Sequence, residues 1–183
     1  MPKVSIVLPT YNGQQFLEKS LNSIIEQTFK DWELIIVNDC STDATLEIIE
    51  TYIAKDSRIR VISNSINKKL PMSLNIGFRD AKGELLTWTS DDNIFLPNAI
   101  EEMVSYLSKN ENEFMVCAGM NWIDSDDKFL FEHIKYSNRN MYLNDCVGAC
   151  FMYRKVVVES IGEYDTSLFL VEVFFGKDCV AGV

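Results

Sequence analysis

The sequence is poor in the residues that build metal cages or disulfide scaffolds. It has one histidine, His133, and five cysteines at 40, 117, 146, 150 and 179, with no Cys-x-x-Cys pair. That excludes a structural zinc module, and the odd, scattered cysteines read as buried free thiols. Cys146 and Cys150 are spaced for one helix face, but Gly148 between them favours a strand. Basic residues are also scarce, 17 Lys and Arg against 27 Asp and Glu, giving a formal net charge of −10. Nucleic-acid backbones are bound through clustered Lys and Arg, so nucleic acid is not an expected partner. A phosphorylated ligand would need its positive charge from a metal ion or from helix N-termini.

Glycine and proline number only 8 and 4. No Gly-rich, basic phosphate loop follows the first strand, where Gly13-Gln14-Gln15 stands, and this weighs against a nucleotidyltransferase. No apolar run approaches the roughly 20 residues needed to span a bilayer. The start, Met1-Pro2-Lys3-Val4-Ser5, enters a strand at once without a signal-peptide pattern, and the expected location is cytoplasmic. Repeats and low-complexity segments are absent too. What remains is ordinary globular composition, 47% hydrophobic and 24% charged over 183 residues, about one domain's worth.

The first half alternates short apolar runs with helical periodicity. Val4–Leu8 reads as a strand, and Leu17, Leu21, Ile24 and Ile25 place an amphipathic helix over about 14–27. Leu34-Ile35-Ile36-Val37 is an unbroken apolar run, as a strand buried on both faces of a parallel sheet requires. A helix follows with Leu46, Ile49, Tyr52 and Ile53 on one face, capped by Thr42 or Asp43. Ile59–Ile62 is a third strand, and Pro71 suits the first turn of a helix running to about Ala81. Leu85–Thr89 is a fourth, before a helix that Pro97 opens and that carries Ile100, Met103, Val104 and Leu107. This β-α-β-α order predicts an α/β fold with a mainly parallel central sheet and helices on both faces. After about residue 112 the segments Phe114–Met120, Phe129–Phe131 and Ala149–Tyr153 read as strands without crossover helices. The second half is therefore expected to be β-rich and mixed, joined to the first by one continuous sheet.

Ligands of open parallel sheets bind at the carboxyl ends of the strands. Three of those ends are polar here: Pro9-Thr10-Tyr11-Asn12, Asn38-Asp39-Cys40-Ser41-Thr42-Asp43, and Ser90-Asp91-Asp92-Asn93. Most of these residue types also serve turns and caps, and Asp43 reads best as a helix cap. The adjacent carboxylates Asp91 and Asp92 repel each other unless a cation sits beside them. Mg²⁺ or Mn²⁺ is the economical choice, since each binds through one or two carboxylates plus ligand phosphates.

In order, these motifs resemble family 2 glycosyltransferases. Val4–Asn12 resembles the family's opening signature, and Gln27-Thr28-Phe29 and Asp31–Asp43 continue it without a gap. Leu74-Asn75-Ile76-Gly77, Ala81-Lys82-Gly83-Glu84 and Ser90–Asn93 extend the resemblance, which covers about residues 3–172. Within the family the wording is closest to bacterial enzymes of the spore-coat polysaccharide type. The resemblance implies a single GT-A domain over 1–183, with a nucleotide-sugar half at 1–112 and an acceptor-side half at 113–183. It also implies an inverting, metal-assisted transfer from a UDP- or dTDP-sugar to a glycan or glycolipid acceptor. Such an enzyme would work in the cytoplasm, in solution or at the inner face of the membrane.

The resemblance further implies roles for individual residues. Pro9, Thr10, Tyr11 and Asn12 would line the nucleobase and ribose pocket, and Asp39 would accept the uracil or thymine N3–H. Lys69 would approach the nucleotide, Asp91 the ribose, and Asp92 the metal. Ser90 stands where the usual Asp-x-Asp pattern has its first carboxylate. On the acceptor side, Ile161–Asp165 fits the family's turn and Phe169-Leu170-Val171-Glu172 fits the approach to its acidic pair. Val173 occupies the place of the family's base, so Glu172 is the base candidate, and the tail reads as cut short. A nucleotide-sugar-binding remnant without transfer is the competing expectation.

Overall fold

The protein is described by a computed structural model covering residues 1–124, 128–133 and 150–167. Along the chain run β1 (Val4–Thr10), α1 (Leu17–Ile25), β2 (Trp32–Asn38), α2 (Thr45–Lys55), β3 (Ile59–Ser63), α3 (Lys69–Asp80), β4 (Leu85–Trp88) and α4 (Ala99–Lys109). There follow β5 (Met115–Cys117), β6 (Met120–Ile123), β7 (Phe129–His133), β8 (Phe151–Arg154) and α5 (Lys155–Ile161). Six strands form one sheet in the order β3-β2-β1-β4-β8-β5, while β6 and β7 pair separately. The first four strands are parallel, and β8 lies antiparallel to both β4 and β5. The sheet thus bridges the two halves of the chain, as expected.

Every residue of β1 and β2 is buried, the reason their sequences lack the alternation of a one-faced strand. On one face Val4, Ile6, Leu8, Leu34 and Ile36 pack against Leu17, Leu21 and Ile24 of α1, Ile49 of α2 and Ile100, Met103 and Leu107 of α4. On the other, Val7, Ile35, Val37 and Leu86 meet Leu74 and Phe78 of α3, Tyr153, and Val157 of α5. Gly77 lets α3 lie close to the sheet, because a Cβ there would stand 2.4 Å from the Val7 side chain.

Several element boundaries differ from the sequence reading. The helix expected from residue 14 begins at Leu17, because the carbonyl of Gly13 accepts the N–H groups of Phe16 and Leu17 in a turn first. The strand expected over Phe114–Met120 divides. β5 pairs with β8, the chain breaks at Ala118-Gly119, and β6 leaves to pair with β7. The last expected strand starts at Phe151 among the described residues and reaches Arg154. No helix of the described residues is long and apolar enough to cross a membrane.

Candidate functional site

The register puts the polar strand ends on one edge. Thr10 pairs with Asn38 and Asn38 with Ser63, so β1, β2 and β3 finish level. Backbone bonds carry the alignment past the strands, from Asp39 N–H to the Thr10 carbonyl at 2.9 Å and from Thr89 N–H to the Val7 carbonyl at 3.0 Å.

Thr10 is buried and donates its hydroxyl to Asp91 Oδ2 at 2.5 Å. Gly13 backs this pair. A Cβ at that position would lie 2.1 Å from Asp91 Oδ2 and 2.5 Å from Thr10 Oγ1. Burial pushes the Asp91 carboxyl above its ordinary pKa, and the charges of Asp92 and Asp43 add to that push against the Thr10 hydrogen bond. Asp92 is exposed and accepts a hydrogen bond from the Ser90 hydroxyl. Ser90 therefore supports the carboxylate in the place where a second carboxylate was sought. Among the described residues no three His, Cys, Asp or Glu side chains form a protein cage for a metal. An open carboxylate beside one that no described cation offsets does fit a divalent ion completed by ligand phosphates.

The Asn12 side chain braces the edge. Its Oδ1 accepts the Thr42 N–H at 2.8 Å, its N–H donates to Ser41 Oγ at 3.0 Å, and its φ of 56° is left-handed. Beside it the Gln14 N–H donates to Asp43 Oδ2 at 3.3 Å, and the Ala44 N–H to Gln14 Oε1 at 3.1 Å. The loops after β1 and β2 are thus laced into one unit. The N-cap of α2 is Ala44, and Asp43 serves the helix from one residue earlier, accepting the Thr45 N–H at 3.0 Å. Burial works against the charge on Asp43, but the hydrogen bonds from Thr45 and Gln14 outweigh it and hold the carboxyl below its ordinary value. Tyr11 lies half exposed on the same edge, and Pro9 is buried behind it within β1.

Asp39 is 4% exposed, and both its oxygens are engaged. Oδ1 accepts the Lys68 N–H and Asn64 Nδ2, each at 2.8 Å, and Oδ2 accepts the Lys69 N–H at 2.8 Å. It therefore caps the first turn of α3, where its charge also favours the helix dipole. Lys69 has a left-handed φ of 69° and an exposed side chain. Its backbone joins it to Asp39. Glu172 lies outside the described residues.

Residues 5–162 match the family model described as glycosyl transferase family 2. The chain belongs to that family. It is 39% identical over 120 residues to the putative glycosyltransferase EpsE of Bacillus subtilis, covering 65% of this chain and 43% of that one. It is 30% identical over 128 residues to the glycosyltransferase GlyG of Streptococcus pneumoniae, covering 70% of this chain and 42% of that one. The chain thus spans less than half the length of these two curated relatives. Among solved structures, TarS of S. aureus in complex with UDP superimposes with a TM-score of 0.77 at 21% identity, covering 92% of this chain and 52% of that one. The mannosyltransferase PcManGT of Pyrobaculum calidifontis, in complex with GDP-Man and Mn²⁺, gives 0.72 at 18% identity, covering 91% and 48%. The fold is GT-A.

Two residues to which the motif reading gave no role shape this edge and the segment that follows it. Gly13 makes room for the Thr10–Asp91 pair, and only the space it leaves in three dimensions reveals this. Gln27 is fully buried on the segment after Asp92: its Nε2 donates to the Leu96 carbonyl at 2.8 Å, and its Oε1 accepts the Ile100 N–H at 3.0 Å. A glutamine just past the C-cap of an amphipathic helix was the available signal, since a buried amide must find partners.

Proposed function

We propose that this chain is an inverting glycosyltransferase that moves a sugar from a UDP- or dTDP-sugar to a glycan or glycolipid hydroxyl in the cytoplasm, with Mn²⁺ or Mg²⁺. The observation that carries this reading is Asp91, fixed by the Thr10 hydroxyl and pushed up by burial, with no described cation to offset it, beside the open Asp92. Asp92, with Asp91 behind it, would hold the ion, which supplies positive charge to the departing diphosphate. Thr10 keeps Asp91 aimed at the ribose side of the edge. Tyr11 offers a flat face to the base, Asp39 an acceptor to its N3–H, and Lys69 a cation near the nucleotide. Asn12 holds the two nucleotide-side loops together. Glu172 is the candidate to take the proton from the attacking hydroxyl, and one displacement from the opposite face inverts the anomeric centre. The GT-A unit is taken to cover 1–183, with the donor half at 1–112.

The expected result is a melting-temperature rise with UDP-sugar and Mn²⁺ together, absent when either is omitted and absent in Asp92→Ala. An undiminished response in Asp92→Ala would remove that residue from the metal site. Val173, standing where the family carries its base, favours a second reading as a donor-binding remnant. That reading predicts the same binding without sugar reaching any acceptor.

A further inference from the structure

The hydrogen bonds on Asp39 limit what else this carboxylate can accept. An ionised carboxylate offers about four acceptor positions, two on each oxygen. Oδ1 already takes two donors, the Lys68 N–H and Asn64 Nδ2, while Oδ2 takes one, the Lys69 N–H. Two of these three are backbone N–H groups at the start of α3, from its N-cap Lys68 and its first residue Lys69, and belong to the fold. The third comes from a side chain. Asn64 is held in place on both sides, since its own N–H donates to the Asn38 carbonyl at 2.9 Å and its Nδ2 also lies 3.4 Å from the hydroxyl of buried Ser73. The amide must turn its NH₂ to Asp39, because the opposite orientation would set two acceptors against each other.

We propose that Asn64 is a specificity-determining residue for the nucleobase: by filling Oδ1 it leaves Asp39 one acceptor position, enough for one N–H. Uracil and thymine present one N–H between two carbonyls. Guanine presents two adjacent donors, a ring N–H and an amino N–H, which a free carboxylate takes with both oxygens. With Oδ1 filled, the second guanine donor would be buried without a partner, a loss worth about tenfold or more in affinity. Cytosine and adenine would turn a ring-nitrogen lone pair toward the carboxylate. Asn64 acts through Asp39 and need not touch the base. The proposal rests on the donor-site reading above and adds to it the residue that sets base choice.

The test is calorimetric titration of the full chain with UDP, GDP and N3-methyl-UDP in the presence of Mn²⁺. Wild type is expected to bind UDP at least about tenfold more tightly than GDP and to lose most of its affinity for N3-methyl-UDP. In Asn64→Ala the UDP-to-GDP ratio should fall severalfold, chiefly because GDP gains. A ratio taken within one protein is insensitive to general loosening of the fold. Asn64→Val removes the same donor but keeps bulk, so it carries the test if the alanine variant does not fold. Equal UDP and GDP affinities in wild type, or an unchanged ratio in a folded variant, overturn the proposal. UDP binding with an unchanged ratio defeats only the role of Asn64. Failure of wild type to bind any of the nucleotides defeats the donor-site reading, and this proposal with it.

Discussion

Glu33 and Asp91 stand at opposite ends of the same parallel sheet, and each accepts a hydroxyl from β1. Ser5 donates to Glu33 Oε1 at 2.6 Å, and Thr10 to Asp91 Oδ2 at 2.5 Å. Their titration nevertheless moves in opposite directions. Burial pushes Glu33 up, but Ser5, the Lys82 N–H at 2.7 Å and the Arg60 guanidinium together hold it below its ordinary pKa. Asp91 has the Thr10 hydroxyl but no cation among the described residues, and its charged neighbours Asp92 and Asp43 raise it further. A hydroxyl orients a carboxylate, but a nearby cation decides whether burial is tolerated. At the closed end of the sheet the chain supplies its own guanidinium. At the carboxyl edge no described residue plays that part for Asp91.

The sharpest way to break this contrast is Gly13→Ala. The new methyl must displace Asp91 Oδ2 or Thr10 Oγ1, since it would begin 2.1 Å and 2.5 Å from them. A displacement near 1 Å at a positioned group costs on the order of 100-fold in rate. Nucleotide-sugar turnover, or Mn²⁺-dependent nucleotide binding, should fall by about that much, with a melting-temperature drop of the size that overpacking brings, about 1–3 kcal/mol. Full activity in the variant would show that the Thr10–Asp91 pair is not needed in this geometry.

Glu33→Ala probes the closed end and should change stability without touching nucleotide binding. It strips partners from Ser5, the Lys82 N–H and Arg60. Arg60 retains Asp80, at 2.7 Å, and its side chain stays 30% exposed, which moderates the loss to about 2 kcal/mol. The folded pKa of Glu33 lies below its unfolded value of 4.5, so its contribution is present above that pH. It is lost as pH falls through the folded pKa. The gap between urea melts of wild type and Glu33→Ala should therefore narrow in strong acid, and a constant gap down to that range would contradict the assignment.

Much of this was legible in the sequence because it rests on local signals. The apolar run at 34–37 and the helical spacing at 100–107 announce a parallel sheet and the helix covering it. The three polar strand ends, once the strands are parallel, can only fall on one edge. What was hidden depends on long-range geometry. Asp39 could be recognised as a ligand candidate, but its partners at 64, 68 and 69 lie beyond a whole helix and strand, α2 and β3. The bonds by which Asn12 braces Ser41 and Thr42 likewise join residues about 30 positions apart. The division of Phe114–Met120 into β5 and β6 is set by pairing partners, which no local pattern encodes. Glycine at 13 carries no signal of its own, because what requires it is a carboxylate 78 positions further along the chain.

The smallest expected effect has the sign that best tests the comparison. In the metal-free protein, the folded pKa of Asp91 lies above its unfolded value of 3.8. Its favourable contribution is then complete below that value and is lost as pH rises through the folded pKa. At neutral pH its ionised form works against folding. Asp91→Asn keeps an oxygen for the Thr10 hydroxyl and removes the charge that Asp92 and Asp43 oppose. The variant should therefore melt higher than wild type at neutral pH without metal, by under about 1 kcal/mol or roughly 2–4 °C at most. The difference should close as pH falls through the folded pKa. With UDP and Mn²⁺ present the order should invert, because wild type gains ligand stabilisation that the variant has lost. A metal-free variant that melts lower than wild type at neutral pH would mean that Asp91 is compensated from within the chain, as Glu33 is.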